Sequence, residues 1–165
     1  MTIGWGVVLS WPIVVLLSIL SPLISIELMA KDLFHNCVKI ALINEGWQVT
    51  HDPYELRLGG VEMYIDLGAE AMIAAQREEL KIAVEIKSFV SPSNISDFHL
   101  AHGQFLDYRY ALEEVEPDRI LYLAVPKKAY DSFFSLQFIQ QVVQRSQIRL
   151  IVYDPDEVKI IKWIK

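Results

Sequence analysis

The sequence predicts an α/β or α+β fold in which a mixed sheet is flanked by helices. Short apolar segments with the character of strands alternate with amphipathic helical segments, and one strand segment is apolar throughout and bounded by proline. The chain has 165 residues, of which 53% are hydrophobic, which is enough for one packed core. One globular domain is therefore the expected organisation.

The N-terminal half of this domain is predicted to contain a helix followed by strands. In 30–45 apolar residues recur at spacings of three and four, which is typical of one face of a helix. The segments 47–52 and 61–67 are separated by proline and glycine turn residues, so they are predicted to pair as antiparallel strands. The segment 69–80 is rich in good helix formers but short, and it is predicted to form a helical turn or a loop.

Residues 81–90 contain the clearest strand pattern. Strand side chains alternate between the two faces of a sheet. The pattern predicts one face with Ile82, Val84 and Ile86, and another with Ala83, Glu85 and Lys87. An otherwise apolar strand is thus expected to carry a charged pair on one face.

The C-terminal half is predicted to contain two helices and three strands. The first helix ends near Glu114 and has an apolar stripe of Ile95, Phe98, Ala101, Phe105, Tyr108 and Leu112. Residues 119–126 are almost continuously apolar, as in a strand buried on both faces. The second helix lies within 128–146, and the segments 148–155 and 158–165 are predicted to form a hairpin.

Residues 1–28 differ from the rest of the chain. They carry no charge between Thr2 and Ile26, and the apolar run is long enough to cross a bilayer as a helix of about 20 residues. No basic residue precedes it, which argues against a cleavable signal peptide. We expect a mis-assigned start, with a cytoplasmic protein beginning at Met29, or else a membrane anchor whose globular domain, 29–165, faces the cytoplasm.

Composition excludes several classes of function. The formal net charge of -6 argues against indiscriminate binding of nucleic acid, which requires clustered lysine and arginine. The single cysteine, Cys37, excludes an internal disulfide and a cysteine-based zinc site. Its apolar neighbours favour a buried structural thiol over a nucleophile.

A candidate site for a divalent cation follows from one acidic pattern. Glu-x-Lys occurs three times, at 79–81, 85–87 and 157–159. Only the second lies inside an apolar strand and follows a strand that ends in a carboxylate, Asp66. Carboxylates at adjacent strand ends suit Mg²⁺ or Mn²⁺, so Asp66, Glu85 and the backbone carbonyl of Ile86 are the expected ligands. Lys87 would orient a water molecule or offset developing charge, although Glu85 and Lys87 are equally consistent with an exposed ion pair.

The helix after this strand carries two further candidates. Gln104 and Tyr108 are four residues apart and therefore share a helix face. The order Asp66, Glu85-x-Lys87, Gln104-x-x-x-Tyr108 resembles the PD-(D/E)xK nuclease superfamily and its RecB-like branch. The resemblance implies a restriction-endonuclease-like fold and metal ligation by both carboxylates. It also implies catalytic work by Lys87, with support from Gln104 and Tyr108, although Tyr108 fits a core position equally well.

A second resemblance covers nearly all of 29–165. The segments that carry it are MAKDLFHNCVKIALINEGW, HDPY, YIDLGAE, KIAVEIKSFV, GQFLDYR, PDRILYLAVP and RLIVYDP. They are similar to the XisH family, the fdxN element excision controlling factors of cyanobacteria. The likeness implies a role in programmed excision of a DNA element, with DNA, a XisI-like protein and a site-specific recombinase as partners. A homodimer is a further expectation. The competing expectation is a regulatory module that keeps the nuclease fold and binds partners without cleaving DNA.

Four other residues are weaker candidates. Asp32 and His35 share a helix face and would approach the site, but a solvated or capping role fits them better. Asp52 and Glu70 flank the predicted strand pair and are candidate accessory ligands.

Overall fold

The computed structural model describes residues 29, 31–73 and 78–165. In chain order the elements are α1 (31–44), β1 (Gln48–His51), β2 (Tyr54–Leu58), β3 (Val61–Ile65), β4 (Leu67–Ile73), β5 (Glu78–Ile86), α2 (Asn94–Val115), β6 (Arg119–Pro126), α3 (Lys127–Ala129), α4 (Gln137–Arg145), β7 (Leu150–Asp154) and β8 (Lys159–Ile164). A π-helical stretch, Tyr130–Phe134, continues α3.

Six of the strands form one mixed sheet in the order β1-β4-β5-β6-β7-β8. The central pairs β5–β6 and β6–β7 are parallel, whereas the outer pairs are antiparallel. Strands β2 and β3 form a separate antiparallel pair. The predicted mixed sheet flanked by helices is therefore confirmed.

Two apolar layers cover the two faces of the large sheet. On one face, Val38 and Leu42 of α1 pack in a cluster with Ile82, Val84 and Ile86 of β5. On the other face, α2 packs with Ala83 and the alternate residues of β6. Residues of β6 are buried toward both layers, which explains why this strand is apolar almost throughout. The predicted alternation along β5 is confirmed.

Helix α2 begins at Asn94, directly after its N-cap residue Ser93. The side chain of Ser93 accepts a hydrogen bond from the backbone N–H of Ser96, which satisfies one of the free donors of the first turn. The predicted apolar stripe is buried except for Ile95, which is 40% exposed. Ile95 lies in the first turn, before the helix reaches the sheet.

The predicted pairing of 47–52 with 61–67 is wrong. The segment between them contains β2, which pairs with β3 across Gly59 and Gly60, while β1 pairs with β4. Both glycines have positive φ, at 58° and 83°. Type I′ hairpin turns require that conformation at both central residues, so a diglycine between alternating segments favours a two-residue hairpin.

Two helical predictions also need correction. The segment 69–80 forms β4 and the start of β5, apart from 74–77, which lie outside the described residues. Pairing along the antiparallel β4–β5 ladder outweighs the modest helix propensity of alanine and glutamate. The predicted helix within 128–146 is divided into α3 with its π-helical stretch and α4. The C-terminal hairpin of β7 and β8 is confirmed.

The expectations about 1–28 fall outside the described residues. Over the part of the chain that the structure does describe, no helix combines the length and hydropathy needed to cross a bilayer.

Candidate metal and phosphate site

Asp66 lies at the bend between β3 and β4, next to the end of β5. Its Oδ2 atom accepts a hydrogen bond of 2.7 Å from the backbone N–H of Ile86. The bond forms because β4 turns back antiparallel to β5, with Leu67 opposite Val84. The bend residue before β4 is thereby brought beside the residues that end β5.

Glu85 and Lys87 form an ion pair at this end of β5. The Lys87 Nζ atom is 2.7 Å from Glu85 Oε1. The side chain of Glu85 is 5% exposed and that of Lys87 is 20% exposed, so the alternative of an exposed surface pair is wrong. A buried carboxylate carries a large desolvation cost, which distinguishes this pair from an ordinary surface contact.

The Asp66 and Glu85 carboxylates interact electrostatically. Burial, followed by the negative charge of Asp66, raises the pKa of Glu85 to about 7. The charge and hydrogen bond of Lys87, and the backbone N–H of Asp66, offset this effect only in part. Two carboxylates thus face one ammonium group, which is an arrangement that an additional cation would stabilise.

The other two candidate residues, Gln104 and Tyr108, lie on helix α2, which packs on the sheet. Burial raises the pKa of Tyr108 to about 12, and the negative charges of Glu85 and Asp66 contribute to this rise. Gln104 lies one turn earlier, and its buried Oε1 atom has no hydrogen-bond partner among the described residues. Such a buried acceptor is unusual in a folded protein and requires an explanation.

A cleft of about 400 Å³ opens beside Asp66 and Lys87. Helix α1 and the segment after β5 form its walls; the lining residues are Lys31, Phe34, His35, Asp66, Ile86, Lys87, Ser88, Phe89, Val90, Ser91, Asp97 and Leu100. His35 lines the cleft, as expected for a residue that approaches the site, whereas Asp32 does not line it.

Asp52 belongs to a different cluster. Its carboxylate contacts His35 Nε2 at 2.8 Å and Lys39 Nζ at 2.6 Å. These contacts join α1 to the residue after β1. The accessory-ligand interpretation of Asp52 stays a prediction.

Glu70 is also occupied elsewhere, in a network around Arg119 that the sequence reading missed. The Arg119 guanidinium, whose side chain is 2% exposed, contacts Glu70 and Glu116 at 3.0 and 2.7 Å and donates to the backbone carbonyl of Ile82 at 2.9 Å. It also lies 4.6 Å from the ring centre of Tyr54. The sequence feature that indicates this network is a single arginine at the start of the apolar strand β6.

The ligand set that this site offers is small. Across 29, 31–73 and 78–165, no three histidine, cysteine or acidic side chains converge in a metal-binding arrangement. Asp66, Glu85 and the backbone of Ile86 remain, and Mg²⁺ commonly binds through one or two carboxylates while keeping several waters. The residues present therefore fit a hydrated divalent cation.

Fold and site together define a small mixed α/β domain with a carboxylate pair and a lysine at the ends of neighbouring strands. A family model described as XisH protein matches residues 28–161. The chain therefore belongs to the XisH family.

Two solved structures are similar to this chain. One is an XisH family protein from Nostoc punctiforme, 45% identical, and the other is a fdxN element excision controlling factor protein from Anabaena variabilis, 47% identical. Each alignment covers 81% of this chain and 99% of the other, with a TM-score of 0.74. No curated protein matches the chain significantly.

Proposed function

We propose that this chain acts in programmed excision of a DNA element and binds Mg²⁺ or Mn²⁺ in a nuclease-like site. The observation that carries the proposal is the convergence of Asp66 and Glu85 beside Lys87. Excision is supported by family membership and by the name of the Anabaena variabilis relative. Cleavage of DNA is the proposed chemistry, because a paired carboxylate site with a neighbouring ammonium suits phosphodiester hydrolysis.

The electrostatics of the carboxylate pair supports a cation as the resident group of this site. Asp66 and Glu85 repel each other, and Lys87 compensates only part of that repulsion. Asp66, Glu85 and the backbone carbonyl of Ile86 would hold the ion. When bound, such an ion polarises a phosphate oxygen and lowers the pKa of a water molecule.

The neighbouring side chains have separate roles in this proposal. Lys87 is partly exposed to the cleft, from which its ammonium would offset charge developing on a phosphate oxygen. Tyr108 keeps its proton at neutral pH because its pKa is about 12, so it would donate a hydrogen bond and would not act as a base. Gln104 would place its unpaired Oε1 atom toward a donor that arrives with water or substrate.

A second candidate function is a regulatory module that binds partners without cleaving DNA. The net charge of -6 and the pairing of Lys87 with Glu85 favour it, because both weaken attraction for phosphate. The proposed partner is a XisI-like protein or a site-specific recombinase. This module would retain the fold, whether or not it binds a cation.

Calorimetric titration of the metal-stripped full chain with MnCl₂ tests the cation site. We expect Asp66→Asn and Glu85→Gln to weaken binding at least about tenfold. Glu157→Gln is the matched control, because Glu157 and Lys159 repeat the Glu-x-Lys pattern with more than half of each side chain exposed. Equal binding by all four proteins would refute the site.

Incubation with DNA tests the chemistry. The full chain, with and without a XisI-like partner, is incubated with duplex, branched and single-stranded DNA in Mg²⁺ or Mn²⁺. We expect cleavage that Lys87→Ala abolishes and Lys159→Ala preserves. Cation binding without cleavage of any substrate would support the regulatory module instead.

A further inference from the structure

The outer face of α1 carries an apolar stripe that no element in the described part of the chain covers. The stripe consists of Leu33, Asn36, Ile40 and Ile43 of α1, preceded by Met29, whose backbone is also helical; the apolar residues Met29, Leu33, Ile40 and Ile43 are 72%, 64%, 48% and 50% exposed. At 3.6 residues per turn these five positions fall within about 80° of arc, on the side opposite the buried Val38. Exposed apolar surface of this kind marks an interaction site.

The spacing within the α1 stripe is that of a helix–helix seam. Successive members are four, three, four and three residues apart, which is the alternation of core positions in a coiled coil. The residues of α1 that pack on the sheet form a separate set, which includes Phe34, Val38 and Leu42. Helix α1 therefore has a second apolar face, which none of the elements described in 31–73 and 78–165 covers.

We propose that the α1 stripe pairs with the α1 stripe of a second copy of this chain, antiparallel about a two-fold axis beside Asn36. Asn36 is the midpoint between Met29 and Ile43, so the axis brings Met29 of each copy to the level of Ile43 of the other copy. Leu33 then faces Ile40 of the second copy. The apolar layers match on both sides of the axis.

Asn36 favours self-association over an unrelated partner helix. A polar side chain buried in an apolar seam destabilises the pair unless its amide finds a hydrogen-bond partner. On the two-fold axis that partner is Asn36 of the second copy, which supplies both a donor and an acceptor. Single asparagines at core positions specify register in helix pairs for this reason.

Charge on one flank of the stripe gives an independent argument. Asp32 and Lys39 lie on the same flank, and the axis places Asp32 opposite Lys39 of the second copy. Lys39 also contacts Asp52 at 2.6 Å, but its ammonium has three donors and its side chain is 36% exposed. A parallel pair would give neither residue an oppositely charged neighbour at its level.

The same flank leads to the cleft, because His35 lies between it and the buried face of α1. A two-fold axis perpendicular to the helices keeps this flank of both copies on one side of the pair. Both clefts would then open toward the same side, which suits two sites on one duplex. This consequence rests on the proposed function, whereas the pairing itself does not.

Sedimentation equilibrium of the full chain tests the association. We expect twice the chain mass of 19.0 kDa, and a return to one chain mass when Leu33→Asp and Ile40→Asp are combined. The matched control combines Leu136→Asp and Phe138→Asp, which alter residues 52% and 67% exposed away from α1. Circular dichroism confirms folding of each variant; a monomeric unaltered chain, or a mass insensitive to the α1 changes, would overturn the proposal.

A disulfide trap tests the register without disrupting the stripe. Cys37→Ser removes the single native thiol, and Asn36→Cys in this background introduces a thiol on the proposed axis. Mild oxidation should give a covalent dimer. His99→Cys in the same background, at an exposed position of α2, should not. Equal cross-linking at both positions, or none at position 36, would contradict the antiparallel pair.

Discussion

The Asp66 carboxylate accepts a hydrogen bond from the backbone N–H of Ile86, with 2.7 Å between the two atoms. Ile86 lies between Glu85 and Lys87, so this bond fixes the bend before β4 against the residues that would bind a cation and a phosphate. Asp66 thus has a structural role in the free protein as well as a proposed role as a ligand. The two roles can be separated by substitution.

Asp66→Asn and Asp66→Ala should differ in stability but not in cation binding. Asparagine keeps an oxygen that can accept from Ile86, so the free energy of unfolding should change by less than about 1 kcal/mol. Alanine leaves that N–H without its partner and should cost about 1–3 kcal/mol. Urea unfolding measures the difference, and Mn²⁺ titration should show weakened binding in both. Full Mn²⁺ affinity in Asp66→Asn would exclude Asp66 as a charged ligand.

Gln104→Met should lower activity without lowering the free energy of unfolding. The substitution removes a buried oxygen that lacks a partner, so stability should stay constant or rise by up to about 1 kcal/mol. Any metal-dependent action on DNA should nevertheless fall. Thermal unfolding and the DNA assay are compared with Gln141→Met, on the exposed surface of α4. A clear loss of stability in Gln104→Met would mean that the Gln104 amide stabilises the fold, which would contradict this prediction.

Acid stability should depend on Glu116. Burial alone would raise its pKa, but hydrogen bonds from Arg119 and Tyr54 lower it to about 2, below the ordinary 4.5. A carboxyl with a lowered pKa stabilises the fold above its ordinary pKa, and this contribution is lost as the pH falls toward 2. Glu116→Gln should therefore flatten the fall in stability between about pH 4.5 and 2. Urea unfolding across this range, with Glu114→Gln as the exposed control, measures the slope; equal slopes would contradict the assignment.

Two glycine-to-alanine substitutions should act in opposite directions. A Cβ atom at Gly103, inside α2, would meet nothing within 4 Å, so alanine should stabilise the helix by about 0.5–1 kcal/mol. At Gly68 in β4 it would lie 2.9 Å from a ring carbon of Tyr54 and 3.2 Å from His51 Cβ, and the crowding should cost about 1–3 kcal/mol. Urea unfolding of both variants checks the signs. A stable Gly68→Ala protein would mean that Tyr54 can move aside.

The elements that sequence predicted best are those with strong periodicity. Strand β5, helix α2 and strand β6 have apolar patterns that permit only one assignment. Glu85 lies in β5, Lys87 directly follows it, and Gln104 and Tyr108 lie in α2. Strand β4 was mistaken for a helical turn or loop because its alanines and glutamate have no strand preference of their own. Its conformation depends on the ladder with β5, which is a tertiary property.

The position of Asp66 was predictable, whereas the surroundings of Arg119 were not. An acidic residue after an apolar segment indicates a strand end, so Asp66 was recognised although its strand was paired incorrectly. Arg119 contacts Glu116, three residues earlier, and also Glu70 and Tyr54 from two distant segments, and no spacing in the sequence relates those two to it. The same limit applies to Glu70, because its partner Arg119 lies 49 residues further along the chain.

The contact of the β2–β3 hairpin with Arg119 affects which substitutions would inactivate the protein. Arg119 holds the ring of Tyr54, Tyr54 is the direct partner of Ile65 in the hairpin, and Asp66 is the next residue in the chain. A change at Arg119 would therefore disturb the carboxylate of Asp66 without touching the cleft. A screen for inactive mutants should recover both positions with the same phenotype, and only a measurement of folding would tell the damaged scaffold from the damaged site.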